Sequence, residues 1–298
     1  MFQTKNIFIL RIGLSLLASL GFIALICWDS LALAATAPNL GTTSTFGVVS
    51  DTLSNTNFPG PPVLTNITGA ICGTTLNIPL PSIISGATVT PCDPQTGLDQ
   101  GTALANLNAQ ALASSCKFIP AGTPLDAVVI SGGLPGHYPP GCYQFGGAMD
   151  LTVSTTMTLD GAGIYIFSSV GALNTGADSS VILNGACASD VFWAPGGATT
   201  IGAYTIGGVP AAAPTFVGNI FDPAGITIGH FANLEGRALA FGGTVTTDSN
   251  TITVPTCTPF ASSPGATTVP TLNEWGTIIF MVLAGLGAVY YLRKYRRV

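Results

Sequence analysis

Apolar and polar residues alternate in short segments along most of the chain, and the segment LTVSTTMTLD (151–160) is typical. Alternate side chains of a strand point to opposite faces. The pattern therefore predicts an inward set consisting of Leu151, Val153, Met157 and Leu159. It predicts an outward set consisting of Thr152, Ser154, Thr156 and Thr158. Similar segments recur between residues 126 and 254 and end near Gly, Asn or Asp. Irregular short strands with small turn residues favour a β-helix or solenoid over a β-sandwich.

One segment of the body has a different pattern. Residues 97–115 contain no proline and are rich in Ala, Leu, Gln and Asn. Leu104, Leu107 and Leu112 fall at helical spacing, and either Asp93 or Thr96 can cap the start. The pattern predicts one amphipathic helix, the only one of the body, within a fold that is otherwise mainly β.

The first residues have the features of a cleaved export signal. Residues 12–28 carry no charge, follow Lys5 and Arg11, and precede an A-x-A cleavage pattern at 32–34. This order is typical of a signal peptide over 1–34, which the Sec translocon and signal peptidase would process. We expect the mature chain to start near Ala35, and a retained anchor helix is the alternative.

The last residues predict a second hydrophobic segment. Residues 276–292 are uncharged, long enough to cross a thin bilayer, and followed directly by four basic residues. The positive-inside rule places the basic end in the cytoplasm and the body outside it. Residues 258–269 are rich in Pro, Ser and Thr and are interpreted as a linker. The predicted body therefore spans 35–257.

Charge excludes one class of partner. Charged residues make up 7% of the chain, and the body carries eleven acidic and two basic residues. A protein that binds nucleic acid through its phosphates needs clustered Lys and Arg. We therefore expect no nucleic-acid partner.

The cysteines agree with export. After removal of the signal six remain, an even number that favours disulfides in an exported chain. Fifteen connectivities are possible, and we favour the pairing of neighbours along the chain: Cys72 with Cys92, Cys116 with Cys142, and Cys187 with Cys257. The sequence has no CxxC pair and no Cys/His cluster, so no metal site is predicted.

The sequence predicts no catalytic residues and no cofactor. It lacks the common nucleophile, zinc-protease and nucleotide-binding motifs. His137 and His230 are assigned to surface or packing roles, and the scattered aspartates to turn capping. We expect Asp248-Ser249-Asn250 to cap a turn, and Arg237 to form a structural ion pair, with Asp248 as the candidate partner. Scattered carboxylates do not point to a polysaccharide-cleaving enzyme.

The C-terminal segment VPTLNEWG, followed by an apolar stretch and a basic cluster, resembles the IPTL-CTERM sorting signal of Gram-negative bacteria. The matching positions are Val269 in place of the usual Ile, Pro270, Thr271, Leu272, Glu274, Trp275 and Gly276. The resemblance covers the last 30 residues, and the sorting segment with its transmembrane helix is assigned to 270–298. It implies recognition by an exosortase-type membrane enzyme, with a membrane-anchored precursor and a body left at the cell surface or released.

The body resembles a second family over about 200 residues. The blocks that carry the resemblance stand in family order: NLGTTSTFGVVS, GHYPPGCYQF, GIYIFSS, VILNGACASDVFWAPGGATTIG, TFVGNIFDPAGITIG and LEGRALAFGGTVTTDSNTI. They are similar to blocks of the ice-binding-protein-like family. This implies a right-handed, discontinuous β-solenoid with one long helix packed along it.

The resemblance also implies a function. Members of that family bind ice through a flat solenoid face that contains Thr and Ser. We therefore expect the body to bind ice or ordered water, and an adhesion or matrix module that binds cell-surface polysaccharide is the alternative. Our candidates for the binding face are Thr152, Ser154, Thr156, Thr158, Thr200, Thr227, Thr244, Thr246, Thr251 and Thr253. The sequence does not show which of them share a face.

Overall fold

The computed structural model describes residues 35–56, 64–78, 82–112, 116–130, 132–206, 211 and 213–257. All of them belong to the first of two compact units of the chain. The single α-helix among these residues is α1 (Pro94–Leu112), and short 3-10 turns cover Gly41–Thr45, Leu125–Ala127 and Ala188–Asp190. In chain order the strands are β1 (Phe46–Asn55), β2 (Asn66–Ile67), β3 (Ala70–Cys72), β4 (Thr75–Asn77), β5 (Ile83–Ile84), β6 (Thr88–Val89), β7 (Lys117–Ile119), β8 (His137–Tyr138), β9 (Gly141–Phe145), β10 (Met149–Leu151), β11 (Thr156–Asp160), β12 (Tyr165–Ser169), β13 (Leu173–Thr175), β14 (Ser180–Asn184), β15 (Val191–Ala194), β16 (Thr199–Ile201), β17 (Phe216–Phe221), β18 (Ile226–Ile228), β19 (Asn233–Thr247) and β20 (Thr251–Thr253).

Nearly all strand pairs are parallel, and each strand pairs with the corresponding strand of the next coil. Gly141, Met149 and Thr156 pair with residues that are 24 positions further along, on three different strands. One coil thus contributes three strands, one to each side of a solenoid. Parallel pairing of this kind confirms the predicted mainly β, solenoid-type architecture.

The three sides are defined by their strand order. The helix side runs β7–β9–β12–β15–β17–β19–β1–β3–β6. The second side, called the threonine face below, runs β10–β13–β16–β18–β19–β1–β4. The third side contains the β8–β11–β14 sheet and the β19–β20–β2–β5 pairs. Strands β1 and β19 pass through the corner between the first two sides, where their register shifts between Ser50 and Thr52.

The interior is filled by large side chains from all three sides. A stack of rings, Tyr143 on Phe167 and Phe167 on Trp193, has centroid separations of 5.2 and 4.4 Å. The Trp193 indole Nε1 donates to the Val217 carbonyl at 2.8 Å, so the buried ring has its polar atom satisfied. Phe167 and Trp193 are fully buried, and such rings contribute most of the apolar area of a narrow core.

Helix α1 lies on the helix side, which confirms the predicted helix. Its buried residues Ala103 and Leu107 belong to the cluster that includes Ile166 and Leu239 on the outer surface of that sheet. Asp93 is the cap, since its carboxylate accepts the Gln95 amide at 2.8 Å. The helix therefore begins three residues before the predicted segment, at the proline that follows this cap.

The alternation predicted through residues 151–160 is wrong at one position. Leu151, Met157 and Leu159 are buried as expected, but Val153 is 59% exposed. Strand β10 ends at Leu151, and Ser154 has a positive φ of 57°. Residues 152–155 form a turn between β10 and β11, so the alternation fails inside the turn, although the inward phase is the same on both sides of it.

The favoured disulfide pairing is confirmed. Cys72–Cys92, Cys116–Cys142 and Cys187–Cys257 are bonded, with sequence separations of 20, 26 and 70. The third bond joins the residue before the Ala188–Asp190 turn to the last described residue of the body.

The expected ion pair between Arg237 and Asp248 is wrong. The Arg237 guanidinium donates to the Ser44 carbonyl at 2.7 Å and to the Asn219 amide oxygen at 2.8 Å. Asp248 instead contacts His230 at 3.0 Å. Arg237 lies on the helix side under the Gly41–Thr45 turn, whereas Asp248 follows the threonine-face part of β19. The role of Arg237 is therefore structural, but its acceptors are neutral oxygens.

The predicted signal peptide at 1–34, the linker and the sorting segment all lie outside the described residues. Within the described ranges, no helix has the length and apolar character needed to cross a bilayer.

Candidate functional site

The threonine face carries one row of outward residues in continuous register. Each member pairs with the next across adjacent strands. This central row consists of Asp150, Asn174, Thr200, Thr227, Thr246, Ser54 and Asn77. Since neighbouring strands lie about 4.8 Å apart, seven strands extend the row over about 29 Å. A second, shorter row consists of Thr244, Thr52 and Thr75.

Apolar residues on the inner side of these strands pack into the core. Leu173, Ile226 and Val245 point into the core from the same strands and are at most 1% exposed. Parallel strands whose inner side chains are packed in this way present a rigid outer surface. Because the row residues point away from this core, a change of row side chain leaves the packing intact.

The centre of the row has no formal charge. Thr200, Thr227, Thr246 and Ser54 stand next to one another and offer hydroxyl and methyl groups. The carboxylate of the row lies at one end, where Asp150 accepts a hydrogen bond from the Asn174 amide at 3.0 Å. A charged group organises water around itself, so its place at the end leaves the central surface mildly polar.

The other two sides differ in character. The helix side is covered by α1 and by the segment before β1, as the buried cluster around Leu107 and Leu40 shows. The third side carries a carboxylate, since an Asp160 oxygen lies 2.8 Å from the His137 ring nitrogen Nδ1. Hydrogen bonds from Asn184 and then His137 hold the pKa of Asp160 below its ordinary value. Among the residues that the structure describes, nothing covers the threonine face, and of the three sides it is the one that combines this with an uncharged centre.

Four of the ten candidate residues lie on the threonine face. Thr200, Thr227 and Thr246 belong to the central row, and Thr244 belongs to the second row. Thr152 follows β10 at the edge, where its amide and hydroxyl donate to Asp126 at 3.0 and 2.8 Å. The remaining candidates lie elsewhere: Ser154 in a turn, Thr156 and Thr158 on β11, and Thr251 and Thr253 on β20.

Sequence reasoning missed the members that come from the first strands of the body. Thr52, Ser54, Thr75 and Asn77 continue both rows because β1 pairs with β19. A signal for them exists in the triplets Thr-Leu-Ser (52–54), Thr-Leu-Asn (75–77) and Thr-Val-Thr (244–246). All three have the order polar, apolar, polar, and they stack in register.

Two aspartates border the face. Burial is the main cause that raises the pKa of Asp222 above its ordinary value, with the Thr199 hydroxyl acting in the opposite direction. The Thr205 hydroxyl, followed by the Thr205 amide, lowers the pKa of Asp178. Within the described part of the chain, no three His, Cys, Asp or Glu residues are placed to hold a metal ion.

Comparison with known proteins agrees with this architecture. The family model described as ice-binding-like matches residues 53–253. The "Ice-binding protein" of Nostoc sp. (strain HG1) is 32% identical over 244 residues, which are 78% of this chain and 80% of that protein. "Ice-binding protein 1" of Shewanella frigidimarina is 36% identical over 113 residues, which are 36% of this chain and 12% of that longer protein.

A solved structure has the same fold. The crystal structure of an ice-binding protein from the Antarctic ascomycete Antarctomyces psychrotrophicus matches with a TM-score of 0.58 and 28% identity. The match covers 74% of this chain and 98% of the ascomycete chain. From the family match and the Nostoc relative together, the chain belongs to the ice-binding-like family.

Proposed function

We propose that this chain is a non-catalytic ice-binding protein and that the threonine face contacts ice or ordered water. The observation that carries the proposal is the group of four adjacent, uncharged, hydroxyl-bearing residues at the centre of the in-register central row, on a packed parallel sheet. Hydroxyl and methyl groups at regular spacing can hold water in an ordered array, whereas hydrated charges would organise it around themselves. The relatives bear the name of ice-binding proteins.

Replacement of one central residue tests the face. Thr246→Tyr puts a bulky side chain in the middle of the row and should abolish most of the thermal hysteresis of the purified body. Thr156→Tyr is the matched control, because Thr156 is an outward threonine on the third side. Both variants should unfold at the wild-type temperature, since neither side chain packs in the core.

The outcomes separate the alternatives. Loss of activity in Thr156→Tyr alone would show that the third side contacts ice, and equal loss in both variants would refute the assignment of ice binding to the threonine face alone. A wild-type body without thermal hysteresis or inhibition of recrystallisation would refute ice binding. Nothing in the comparisons favours the adhesion module. The absence of ice activity would nevertheless make adhesion the better interpretation of the same face.

We also propose that the body is exported and sorted to the cell surface. The three disulfides support an oxidising compartment, since such bonds are rare in the cytosol. The apolar segment at 12–28 and the motif at 269–276 support the two processing steps. Mass spectrometry of the protein recovered from the cell surface or medium should find a start near Ala35 and loss of the C-terminal segment. Recovery of a chain with both ends intact would refute this processing.

A further inference from the structure

Asp222 borders the threonine face without lying on it. It follows β17 at the corner where the chain turns into β18, and it is 1% exposed. One carboxylate oxygen, Oδ2, accepts the Thr199 hydroxyl at 2.6 Å, and Oδ1 accepts the Ala224 amide at 2.9 Å. Asp222 therefore joins the first residue of β16 to the turn that precedes β18.

Thr199 is a polar residue in an apolar position. Its partners across the sheet are Leu173 and Ile226, and Thr199 itself is 1% exposed. Valine would fill the same space without a polar atom to satisfy, so packing does not require a hydroxyl here. The hydroxyl has its partner in Asp222, and the Thr199 amide donates to the Gly225 carbonyl at 2.9 Å.

Asp178 makes a second contact, with the residue Thr205 that lies beyond the other end of β16. It lies in the turn after β13 with a positive φ of 58°. The amide and the hydroxyl of Thr205, which follows β16, both donate to its carboxylate, the hydroxyl at 2.6 Å. Strand β16 is therefore tied to β18 at its start and to the β13 turn beyond its end.

The residue between these two ties is Thr200. It occupies the central row, with Asn174 on one side and Thr227 on the other. Because Thr199 and Thr200 are neighbours in one strand, a bond that fixes the first also fixes the position of the second. A surface that binds ice must keep its side chains at the spacing of the ice lattice. This demands a more exact strand position than folding does.

We propose that Asp222 and Asp178 are positioning residues for the threonine face. They fix β16 relative to β18 and β13, and thereby set the spacing between Thr200 and the adjacent members of the central row. The two carboxylates lie at the edges of the face, so neither charge stands in the central row. The inference rests on the proposed ice-binding function for one of its two readouts.

Thr199→Val and Thr205→Val test the two ties. Each removes one hydroxyl and leaves the backbone amide in place, and Thr205 is exposed, so the second variant should fold even if the first does not. Thr199→Ser retains the hydroxyl and should behave as wild type. Thr42→Val is the matched control, because the Thr42 hydroxyl donates to Asp99 at 2.8 Å beside α1, away from the face.

The expected result has two parts. In Thr199→Val and Thr205→Val the amides of β16 should exchange with solvent about tenfold faster, since local opening becomes easier. Thermal hysteresis should fall several-fold, while Thr199→Ser and Thr42→Val retain both properties.

Three results would overturn or redirect the inference. Unchanged exchange in both valine variants would show that the aspartates do not fix the strand. Faster exchange with wild-type hysteresis would show that the spacing does not matter for ice. If the wild-type protein has no hysteresis, the proposed function fails separately, and the exchange rates alone decide whether these carboxylates hold β16.

Discussion

At the residue scale, four aspartates act as acceptors for threonines from distant parts of the chain. Four carboxylates each accept hydrogen bonds from one threonine: Asp99 from Thr42, Asp126 from Thr152, Asp178 from Thr205 and Asp222 from Thr199. A carboxylate that accepts an amide and a hydroxyl satisfies two donors at a corner where the strand ladder stops. These four aspartates therefore have a structural role, because each joins two separate parts of the chain.

These hydrogen bonds lower the pKa of the carboxylates, and burial acts in the opposite direction. Hydrogen bonds from the Thr42 amide and then its hydroxyl hold the pKa of Asp99 below its ordinary value, in an exposed place. Asp222 makes similar contacts, but its burial dominates and raises its pKa. Hydrogen bonds from a threonine therefore favour the ionised carboxylate at the surface, whereas for a buried carboxylate the cost of desolvating the charge outweighs them.

The sequence indicated the turns but not these partners. The expected turn capping is confirmed at Asp222, whose carboxylate accepts the Ala224 amide two residues on. The contact between Asp222 and Thr199 spans 23 residues, and the contact between Asp99 and Thr42 spans 57. Which residues meet at such sequence separations depends on the number of residues in each coil, and a local sequence pattern does not give that number. Arg237 shows the same limit, since its acceptor at Ser44 is 193 residues away.

At the scale of single elements, composition and hydrophobic period predicted a segment correctly wherever that segment forms one regular helix or strand. Helix α1 was predictable because its apolar spacing and cap are local. The phase of the strands was predictable within β11, where Met157 and Leu159 are buried. It failed at Val153, because the turn before β11 is short and its positive-φ residue is Ser154, where glycine would have been the usual marker.

The two faces of α1 allow a direct test of its packing. Leu107 is fully buried against the helix side of the solenoid, whereas Leu98 is 64% exposed on the same helix. Leu107→Ala should lower the free energy of unfolding by about 2–5 kcal/mol, because it removes buried methyl groups and leaves a cavity. Leu98→Ala has the same change of propensity and should alter stability by less than about 0.5 kcal/mol.

Chemical denaturation of both variants gives the measurement. A similar small loss in the two variants would mean that the helix is not held by its buried face. Because α1 packs on the helix side and not on the threonine face, we expect neither substitution to alter thermal hysteresis.

At the scale of the whole molecule, the pairing of β1 with β19 completes the threonine face. Strands β1 and β4 come from the first part of the body and extend both rows beyond Thr246 and Thr244. The alternation of each strand was visible in the sequence, but which strands become neighbours was not, because many similar short segments compete for each position. This is why six of the ten candidate residues do not lie on the face and six members of its two rows were missed.

The disulfides tie this arrangement together over different lengths of chain. Cys187–Cys257 closes the longest loop, with a separation of 70 residues, and Cys72–Cys92 closes the shortest, with 20. A cross-link stabilises mainly because it lowers the entropy of the unfolded chain, and its contribution grows slowly with loop length. The chain-entropy relation gives about 4 kcal/mol for the longer loop and about 3 kcal/mol for the shorter one.

Paired replacements by alanine should therefore have unequal effects. Removal of Cys187–Cys257 should cost more stability than removal of Cys72–Cys92, although Cys257 is exposed and Cys72 is fully buried. Urea denaturation of the two double variants, each compared with the oxidised wild-type body, measures the difference. If loss of the Cys72–Cys92 bond costs more, the packing of these buried sulfurs outweighs loop closure, and the entropic account does not describe this solenoid. If the order is as expected, the bond that closes the end of the body is the main covalent support of the stacked coils.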